Sequence, residues 1–174
     1  MNLGCGPDAA AGWLNCDIAR ASRVDVRADL RRGLPFGAGT LDCIAAIHVL
    51  QDLAWHDIAP ALSELHRVLK RRGVLRLAVP DLEKSIDAYL VADASYFYVP
   101  DELARSIGAK LVTQAIWYGS VRTPCTFGFL EEWLQRAGFA EVVRRAFGES
   151  SVDGLARLDN RERESLFVEA MKIA

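Results

Sequence analysis

Two apolar segments joined by a helical pattern constrain the fold of this chain more than any other feature. Residues 41–49 and 74–79 are almost continuously apolar, which is typical of strands covered on both faces. Between them, apolar residues recur at the spacing of one helical face: Ile58, Leu62, Leu65 and Leu69. A strand, a helix and a second strand in this order predict a parallel sheet with helices packed on its faces.

The flanking residues predict where this helix begins and ends. Asp57 is a good N-cap residue, and Pro60 then falls in the first turn, where its missing N–H costs nothing. Gly73 is expected to follow the helix. A basic cluster precedes that glycine, where the helix dipole favours cations: Arg67, Lys70, Arg71 and Arg72.

Shorter elements precede and follow this unit. The chain opens with a short strand before the glycine turn at Gly4, and further strands are predicted at residues 13–16 and 24–30. A short helix is predicted at residues 82–90. Strands are therefore predicted from the N-terminus onward, and a further helix is predicted after the two central strands.

The C-terminal third predicts a helix followed by two strands. Thr126 is expected to open the helix and Gly138 to end it in a left-handed conformation. Strands follow through residues 142–143 and over residues 166–171. The polar loop at residues 148–164 permits these two strands to form a hairpin.

Length and charge narrow the class of protein. The 174 residues, 51% of them hydrophobic, are expected to form a single domain over residues 1–174. A formal net charge of -2 gives no basic excess, so nucleic acid is not an expected partner. The chain lacks a run of ~20 apolar residues and a signal-peptide pattern, so no membrane partner is expected and the cytoplasm is the expected location. The oligomeric state stays open.

The cysteines and histidines predict neither a disulfide framework nor a metal site. No Cys-x-x-Cys pair is present, and three of the four cysteines lie in or beside apolar segments, which is typical of reduced core thiols. The histidines are separated by eight and ten residues, which does not place two ligands on one helical face. We therefore expect no bound metal.

The glycine turn after the first strand is the first indication of a ligand site. Gly4 and Gly6 lack a side chain and tolerate positive φ, so the backbone there can approach a ligand closely. Gly-x-Gly alone is equally typical of a plain turn, and the third glycine of the dinucleotide fingerprint is missing. Asp17, at the end of the second strand, favours the ligand interpretation because it can accept two hydrogen bonds from a ribose diol. A surface aspartate is the alternative.

Several segments, taken in order, resemble the class I S-adenosylmethionine-dependent methyltransferases. Asn-Leu-Gly-Cys-Gly-Pro at residues 2–7 resembles their first motif. Gly-Trp-Leu-Asn-Cys-Asp-Ile at residues 12–18 resembles the second strand of a bacterial subgroup whose first crossover helix is reduced to a loop. Further segments match in order: residues 29–30 and 34–36 beside the adenine, 41–44 and 48–50 at the fourth strand, 62–73 in the next helix, and 129–139 in the last helix. The resemblance implies a three-layer, Rossmann-like α/β fold whose sheet is mostly parallel with an antiparallel C-terminal strand.

The resemblance also implies a cofactor, S-adenosylmethionine, with S-adenosylhomocysteine as its product, and a set of cofactor-binding residues. The set is Gly4, Cys5, Gly6, Asp17, Ile18, Asp29, Leu30, His48 and Val49. The backbone of residues 4–6 would contact the methionine part, and Asp17 would hold the ribose. Ile18 and Leu30 would flank the adenine, whose amino group Asp29 would bind. All these residues fall at the carboxyl ends of predicted strands, where open α/β sheets bind ligands.

The sequence departs from the family pattern at three points. Asn2 stands where many members carry an acid, Gln51-Asp52 stands where a Glu-His pair is frequent, and few residues precede the glycine turn, so the first strand is expected to be short. These departures keep a non-catalytic binding module of the same fold as an alternative. A nicotinamide-dependent oxidoreductase is a weaker alternative, because Asp17 follows Gly6 by only 11 residues instead of ~20.

The methyl acceptor and a catalytic group are less well defined. His48 and Val49 would line the pocket where the fourth strand ends, and His48 is a candidate general base because its unperturbed pKa is near neutrality. A packed, pocket-lining histidine is the alternative. Asp81 is a second candidate base, and its alternative role is to cap the next helix. Residues 93–125 carry five aromatic side chains and are expected to cover a small-molecule or sugar-like acceptor, although aromatic residues there also suit a core.

Overall fold

A seven-stranded sheet forms the centre of the molecule. The computed structural model describes residues 1–7, 9–20 and 23–173. The strands are β1 (Asn2–Leu3), β2 (Asn15–Asp17), β3 (Val26–Arg27), β4 (Leu41–Ile47), β5 (Leu69–Pro80), β6 (Phe139–Arg145) and β7 (Ser165–Lys172). Their order in the sheet is β3-β2-β1-β4-β5-β7-β6, with β1 to β5 parallel and β7 antiparallel to both β5 and β6. The predicted mostly parallel sheet with an antiparallel C-terminal strand is confirmed.

Helices and short 3-10 turns connect the strands. The helices are α1 (Trp55–Val68), α2 (Leu82–Leu90), α3 (Ile107–Ile116) and α4 (Phe127–Arg136). The 3-10 turns are Leu30–Arg32, Leu50–Asp52, Ala94–Tyr96, Trp117–Gly119 and Leu155–Leu158. In the part of the chain that the structure describes, no helix is both long and apolar enough to cross a membrane.

Asn15 organises the short connection between β1 and β2. Its side-chain oxygen accepts hydrogen bonds from the Ala10 N–H at 2.9 Å and from the Asn2 amide at 3.1 Å. Its amide group donates to the carbonyls of Ala10 and Trp13, both at 3.0 Å. The buried Asn15 side chain thus forms the hydrogen bonds that hold the connection between β1 and β2. Asn2 contributes an amide N–H donor, which a carboxylate at that position could not supply.

α1 begins earlier than the sequence predicts. Its N-cap is Ala54, which makes no side-chain cap bond, and Asp57 lies inside the first turn. The prediction of Asp57 as N-cap is therefore wrong, and Pro60 lies beyond the first turn. A tertiary contact accompanies the early start, because the Trp55 ring packs edge-on against Trp133 of α4 with ring centroids 5.5 Å apart.

The basic cluster does not end α1 as predicted. α1 ends at Val68, and β5 already begins at Leu69, whose partner in the sheet is Leu41. Lys70 pairs with Asp42 of β4 at 2.7 Å instead of the helix terminus. The pairing with β4 therefore captures most of the basic segment in the strand, and only Arg67 remains in the last helical turn.

Most of the remaining elements follow the prediction. α2 has the predicted bounds, and Thr126 caps α4 by accepting the Phe129 N–H. Gly138 has φ +95, the expected left-handed conformation. The strand predicted at residues 24–30 is reduced to β3, because Asp29 caps a 3-10 turn.

The main core lies between the sheet and the pair α1 and α4. Its helical members present one apolar face each: Ile58, Leu62, Leu65 and Val68 from α1, and Leu130 and Leu134 from α4. A second cluster on Ala45 and Ala78 packs beneath the loop between β6 and β7. The sheet is therefore covered on both faces along β4 and β5.

Arg76 of β5 carries a buried charge beneath that loop. The side chain is fully buried and donates to the Asp159 carboxylate at 2.7 Å and 2.5 Å, and to the Glu169 carboxylate of β7 at 2.9 Å. Glu169 also accepts from the hydroxyls of Ser150 and Ser151. This network joins the loop to the sheet through groups that are far apart in the sequence.

Candidate functional site

Two features of the turn after β1 require a glycine at position 4. Gly4 has φ +69, and a Cβ atom there would lie 2.2 Å from Cγ2 of Val49, at the exit of β4. Gly6 also has a positive φ, +56, but space for a side chain is open around it. Gly4 thus allows the ends of β1 and β4 to come close, whereas Gly6 is needed only for its positive φ.

Asp17 holds the glycine turn against the end of β2. One carboxylate oxygen accepts the Gly6 N–H at 2.8 Å, and the other accepts the Ala19 N–H at 2.8 Å. The N–H groups of Gly4 and Cys5 both donate to the Cys16 carbonyl, at 2.8 and 3.3 Å. All three N–H groups of the turn are therefore engaged within the chain.

Asp29 lies at the end of β3 with its carboxylate already paired. Arg31 donates two side-chain hydrogen bonds to it, at 2.9 Å and 2.8 Å. Asp29 also caps the following 3-10 turn through the Arg31 N–H. The side-chain bond from Arg31 holds the pKa of Asp29 below its usual range, so the group is a carboxylate at neutral pH.

His48 follows β4 in a strained conformation. Its φ is +56, a value that few residues other than glycine adopt. Nε2 lies 3.0 Å from the Ser165 hydroxyl of β7, and Nδ1 is buried without a partner among the described residues. Burial and the nearby Arg161 guanidinium lower the pKa of His48 to about 4. The imidazole is therefore neutral at physiological pH, and it is a weaker base than a free histidine.

A cavity of about 370 Å³ lies over these strand ends, and we name it the glycine-turn cavity. It is lined by Leu3, Gly4, Asp17, Ile18, Ala28, Asp29, Leu30, Arg31, His48, Val49, Asp52 and Leu53. Seven of the nine residues predicted to bind the cofactor are in this lining. Cys5 and Gly6 are outside it; Cys5 is buried, and Gly6 donates its N–H to the Asp17 carboxylate.

A second cavity of about 240 Å³ lies beside the first, and we name it the α2–α3 cavity. It is lined by His48, Gln51, Asp52, Pro80, Asp81, Leu82, Ser85, Gln114, Ala115, Trp117, Ser120, Val121, Pro124, Arg161 and Glu164. His48 and Asp52 line both cavities. The two spaces therefore meet at the exit of β4.

Asp81 is part of this second lining and also caps α2. Its Oδ1 accepts the N–H groups of Glu83 at 3.0 Å and Lys84 at 3.3 Å. The residue is 3% exposed, and burial raises its pKa. The predicted capping role is present, and the same carboxyl group borders a cavity.

The segment at residues 93–125 contributes six of the fifteen residues around the α2–α3 cavity. Backbone N–H groups of Arg122 and Thr123 donate to the Gln51 carbonyl, which ties the segment to the turn after β4. Of its five aromatic side chains, Trp117 lines the cavity, whereas Tyr96 and Phe97 pack in a small core of their own with Ala88. The segment covers the cavity mainly with polar and aliphatic groups.

Several lining residues had no counterpart in the sequence prediction. Asp52 could have been found, because it lies in the 3-10 turn after β4 and the carboxyl ends of strands carry ligand sites. Arg161 and Glu164 belong to a loop without periodicity, so no local pattern indicates that they reach the cavity. Long-range contacts hold this loop, because Asp159 pairs with Arg76 and the Glu164 carbonyl accepts the Asp81 N–H.

Comparison with known proteins agrees with this architecture. A family model described as "Methyltransferase domain" matches residues 1–77, which contain every predicted cofactor-binding residue. A search of curated protein sequences gave no significant match.

Solved structures with similar folds include three S-adenosylmethionine-dependent methyltransferases. The enzyme from Thermotoga maritima, described as a possible histamine N-methyltransferase, has a TM-score of 0.59 at 18% identity, over 98% of this chain and 80% of its own. The protein from Archaeoglobus fulgidus has a TM-score of 0.60 at 14% identity, over 98% and 84%. The protein from Mesorhizobium loti has a TM-score of 0.57 at 18% identity, over 98% and 89%.

The architecture is that of the Rossmann-like α/β folds with an antiparallel strand pair at one edge of the sheet. The match over residues 1–77 and the shared fold confirm the resemblance to the class I S-adenosylmethionine-dependent methyltransferases.

Proposed function

We propose that this chain transfers a methyl group from S-adenosylmethionine to a small-molecule acceptor. The observation that carries the proposal is that two cavities meet at His48 and Asp52. Methyl transfer needs a donor and an acceptor placed in line within a site that excludes water, and two adjoining cavities meet that need. The glycine-turn cavity would take the cofactor and the α2–α3 cavity the acceptor.

The residues of the glycine-turn cavity fit this cofactor. The N–H groups of residues 4–6 are engaged, so the turn offers its carbonyl oxygens, which suit the ammonium group of the methionine part. Asp17 faces the cavity with a carboxylate that can accept from a ribose diol. Ile18 and Leu30 supply apolar surface for the base, whose amino group would share the Asp29 carboxylate with Arg31.

The chemistry divides between the cofactor and the chain. The cofactor supplies a methyl group already activated by its sulfonium. The side chains bind and orient both reactants, and the cover formed by residues 93–125 excludes water. His48 borders both cavities as a neutral imidazole, so we assign it the role of lining and orienting the junction and not that of a strong base.

Calorimetric titration with S-adenosylhomocysteine, comparing Asp17→Asn with the unchanged chain, tests the cofactor site. Asparagine keeps the shape of the side chain and one oxygen acceptor but removes the charge, so we expect binding to weaken by roughly tenfold or more. Asp42→Asn is the matched control, because Asp42 is an exposed residue at the opposite end of β4. That variant should bind like the unchanged chain.

Three outcomes separate the hypotheses. Absence of binding to the folded, unchanged chain would contradict the proposed function, and equal weakening by both variants would contradict the assignment of Asp17. Binding without transfer of a labelled methyl group to any member of a small-molecule panel would favour the non-catalytic binding module.

A further inference from the structure

The α2–α3 cavity carries more negative than positive side chains. Three carboxylates line it, from Asp52, Asp81 and Glu164, and a single guanidinium, from Arg161. Lys84 and Arg144 lie near Asp81, but Lys84 donates to backbone carbonyls and Arg144 pairs with Glu83, and neither lines the cavity. Asp52 and Arg161 are both exposed, so water screens their charges more than those of the buried Asp81 and the half-buried Glu164. The least screened charges at the cavity are therefore those of Asp81 and Glu164, which are negative.

Two buried side chains leave hydrogen-bond acceptors at this cavity. Among the described residues, both hydrogen bonds to the Asp81 carboxylate fall on Oδ1, so Oδ2 is free to accept from a ligand. Gln51 lines the cavity and is 4% exposed, and its Oε1 accepts no hydrogen bond from the described residues. Buried polar atoms normally have a partner, so the unpaired Gln51 Oε1 favours a ligand that donates hydrogen bonds, and Asp81 Oδ2 can accept from the same ligand.

Asp81 and Glu164 lie side by side. The Asp81 N–H donates to the Glu164 carbonyl at 2.8 Å, which joins the end of β5 to the residue before β7. The Tyr98 hydroxyl donates to the Glu164 carboxylate at 3.3 Å. Two elements distant in sequence thus bring two carboxylates to the same side of the cavity.

We propose that the α2–α3 cavity binds a small primary or secondary amine as the methyl acceptor, with its ammonium form held by Asp81 and Glu164. This inference rests on the proposed function. The ammonium first gives one proton to a carboxylate, which passes it to solvent. The nitrogen lone pair then bonds the methyl carbon while the carbon–sulfur bond breaks toward sulfur, which yields an N-methylammonium ion and the neutral thioether.

Other acceptor classes fit these charges less well. A carboxylate or a phenolate would place an anion among three carboxylates. An aliphatic hydroxyl holds its proton about as tightly as water does, far more tightly than an alkyl ammonium such as that of lysine, whose pKa is about 10.4. The cavity has no strong base for the hydroxyl, since the pKa of His48 is about 4. An amine needs only a carboxylate or water to remove its proton.

A panel of matched compounds tests the proposal directly. The probes are the amine, the alcohol and the carboxylate built on each of three skeletons: phenethyl, butyl and cyclohexylmethyl. Affinities are measured by ligand-detected magnetic resonance, with and without S-adenosylhomocysteine. We expect each amine to bind at least several-fold more tightly than the alcohol and the carboxylate of its own skeleton.

Two variants with opposite effects sharpen the test. Asp81→Asn keeps the cap of α2, because asparagine caps as well as aspartate, and should weaken amine binding roughly tenfold. Arg161→Gln should strengthen amine binding and weaken carboxylate binding. Asp93→Asn is the control, since Asp93 is an exposed residue that caps a 3-10 turn outside the cavity.

The outcomes distinguish this proposal from the proposed function. Tighter binding of the alcohols or carboxylates, or amine binding that Asp81→Asn leaves unchanged, would overturn the amine assignment even if the cofactor analogue binds. Amine preference in a chain that does not bind the analogue would overturn the proposed function and leave the amine site standing. Failure of every amine to bind, with or without the analogue, would also overturn the amine assignment.

Discussion

The glycine-turn cavity and the α2–α3 cavity adjoin each other but are built in different ways. Every residue around the first comes from residues 3–53, at the ends of four parallel strands and in the turns that follow them. The second draws on four separate segments between residues 48 and 164. The first is therefore a product of local turn geometry, whereas the second depends on contacts between distant parts of the chain.

The supports of the two cavities differ in the same way. Backbone hydrogen bonds and one close approach of Gly4 to Val49 shape the glycine-turn cavity. The loop that brings Arg161 to the α2–α3 cavity is joined to the sheet by the buried pair of Arg76 and Asp159. A substitution can therefore disturb one cavity and leave the other intact, and the following predictions use that difference.

The largest effect is expected for Arg76→Met. Removing the guanidinium leaves the buried Asp159 carboxylate without its cation and Glu169 with Arg145 alone, and breaking a buried pair in this way costs about 3–5 kcal/mol. Urea unfolding measures the loss. Lys70→Met, which breaks an exposed pair with Asp42, should leave the free energy of unfolding nearly unchanged.

The same variant tests whether the cavities are independent. Where Arg76→Met remains folded, its affinity for S-adenosylhomocysteine should be close to that of the unchanged chain, while proteolysis within residues 146–164 should become faster. A parallel loss of cofactor affinity would show that the two cavities share their support.

These differences explain how much of the molecule could be predicted from the sequence. The parallel strands, α2 and α4 follow from apolar runs, caps and the glycine at residue 138, all of which act over a few residues. The residues around the glycine-turn cavity were predicted from the family resemblance, and the rule that open α/β sheets bind ligands at strand ends supports that prediction. The strand β3 is shorter than predicted because the Asp29 side chain accepts the Arg31 N–H and so begins a 3-10 turn where the strand was expected to continue.

The α2–α3 cavity could be predicted only in part, because long-range contacts form much of it. Six of its lining residues belong to residues 93–125, whereas Arg161 and Glu164 come from a loop that long-range contacts with no local signature hold in place. The start of α1 was missed in the same way, because Trp55 packs against Trp133, almost eighty positions away. Propensity is a weak guide where tertiary contacts decide.

His48 stands at the junction of the cavities and should make stability depend on pH. Its pKa is about 4 in the folded chain and about 6.5 when unfolded, so the unfolded state binds more protons between those values. The stabilisation is complete above about pH 6.5 and is lost as the pH falls toward 4, by roughly 3 kcal/mol in total.

Urea unfolding across that pH range, compared with His48→Asn, measures this contribution. Asparagine tolerates the positive φ at this position but does not titrate, so the variant should lose less stability on acidification than the unchanged chain. Identical pH profiles would show that the imidazole is not desolvated at the junction.

The smallest of these effects is expected at the glycine turn, for Gly4→Ala. A left-handed φ costs a non-glycine residue about 1–2 kcal/mol, and the new Cβ also meets Val49 Cγ2, so we expect a total loss of about 2 kcal/mol and weaker binding of S-adenosylhomocysteine. Gly6→Ala shares the positive φ but has open space, so it should lose only about 1 kcal/mol. Val49→Ala in the Gly4→Ala background removes the clashing methyl group and should restore part of the stability. If it restores none, the loss comes from the backbone alone, and the close approach of β1 and β4 is not what fixes glycine at this position.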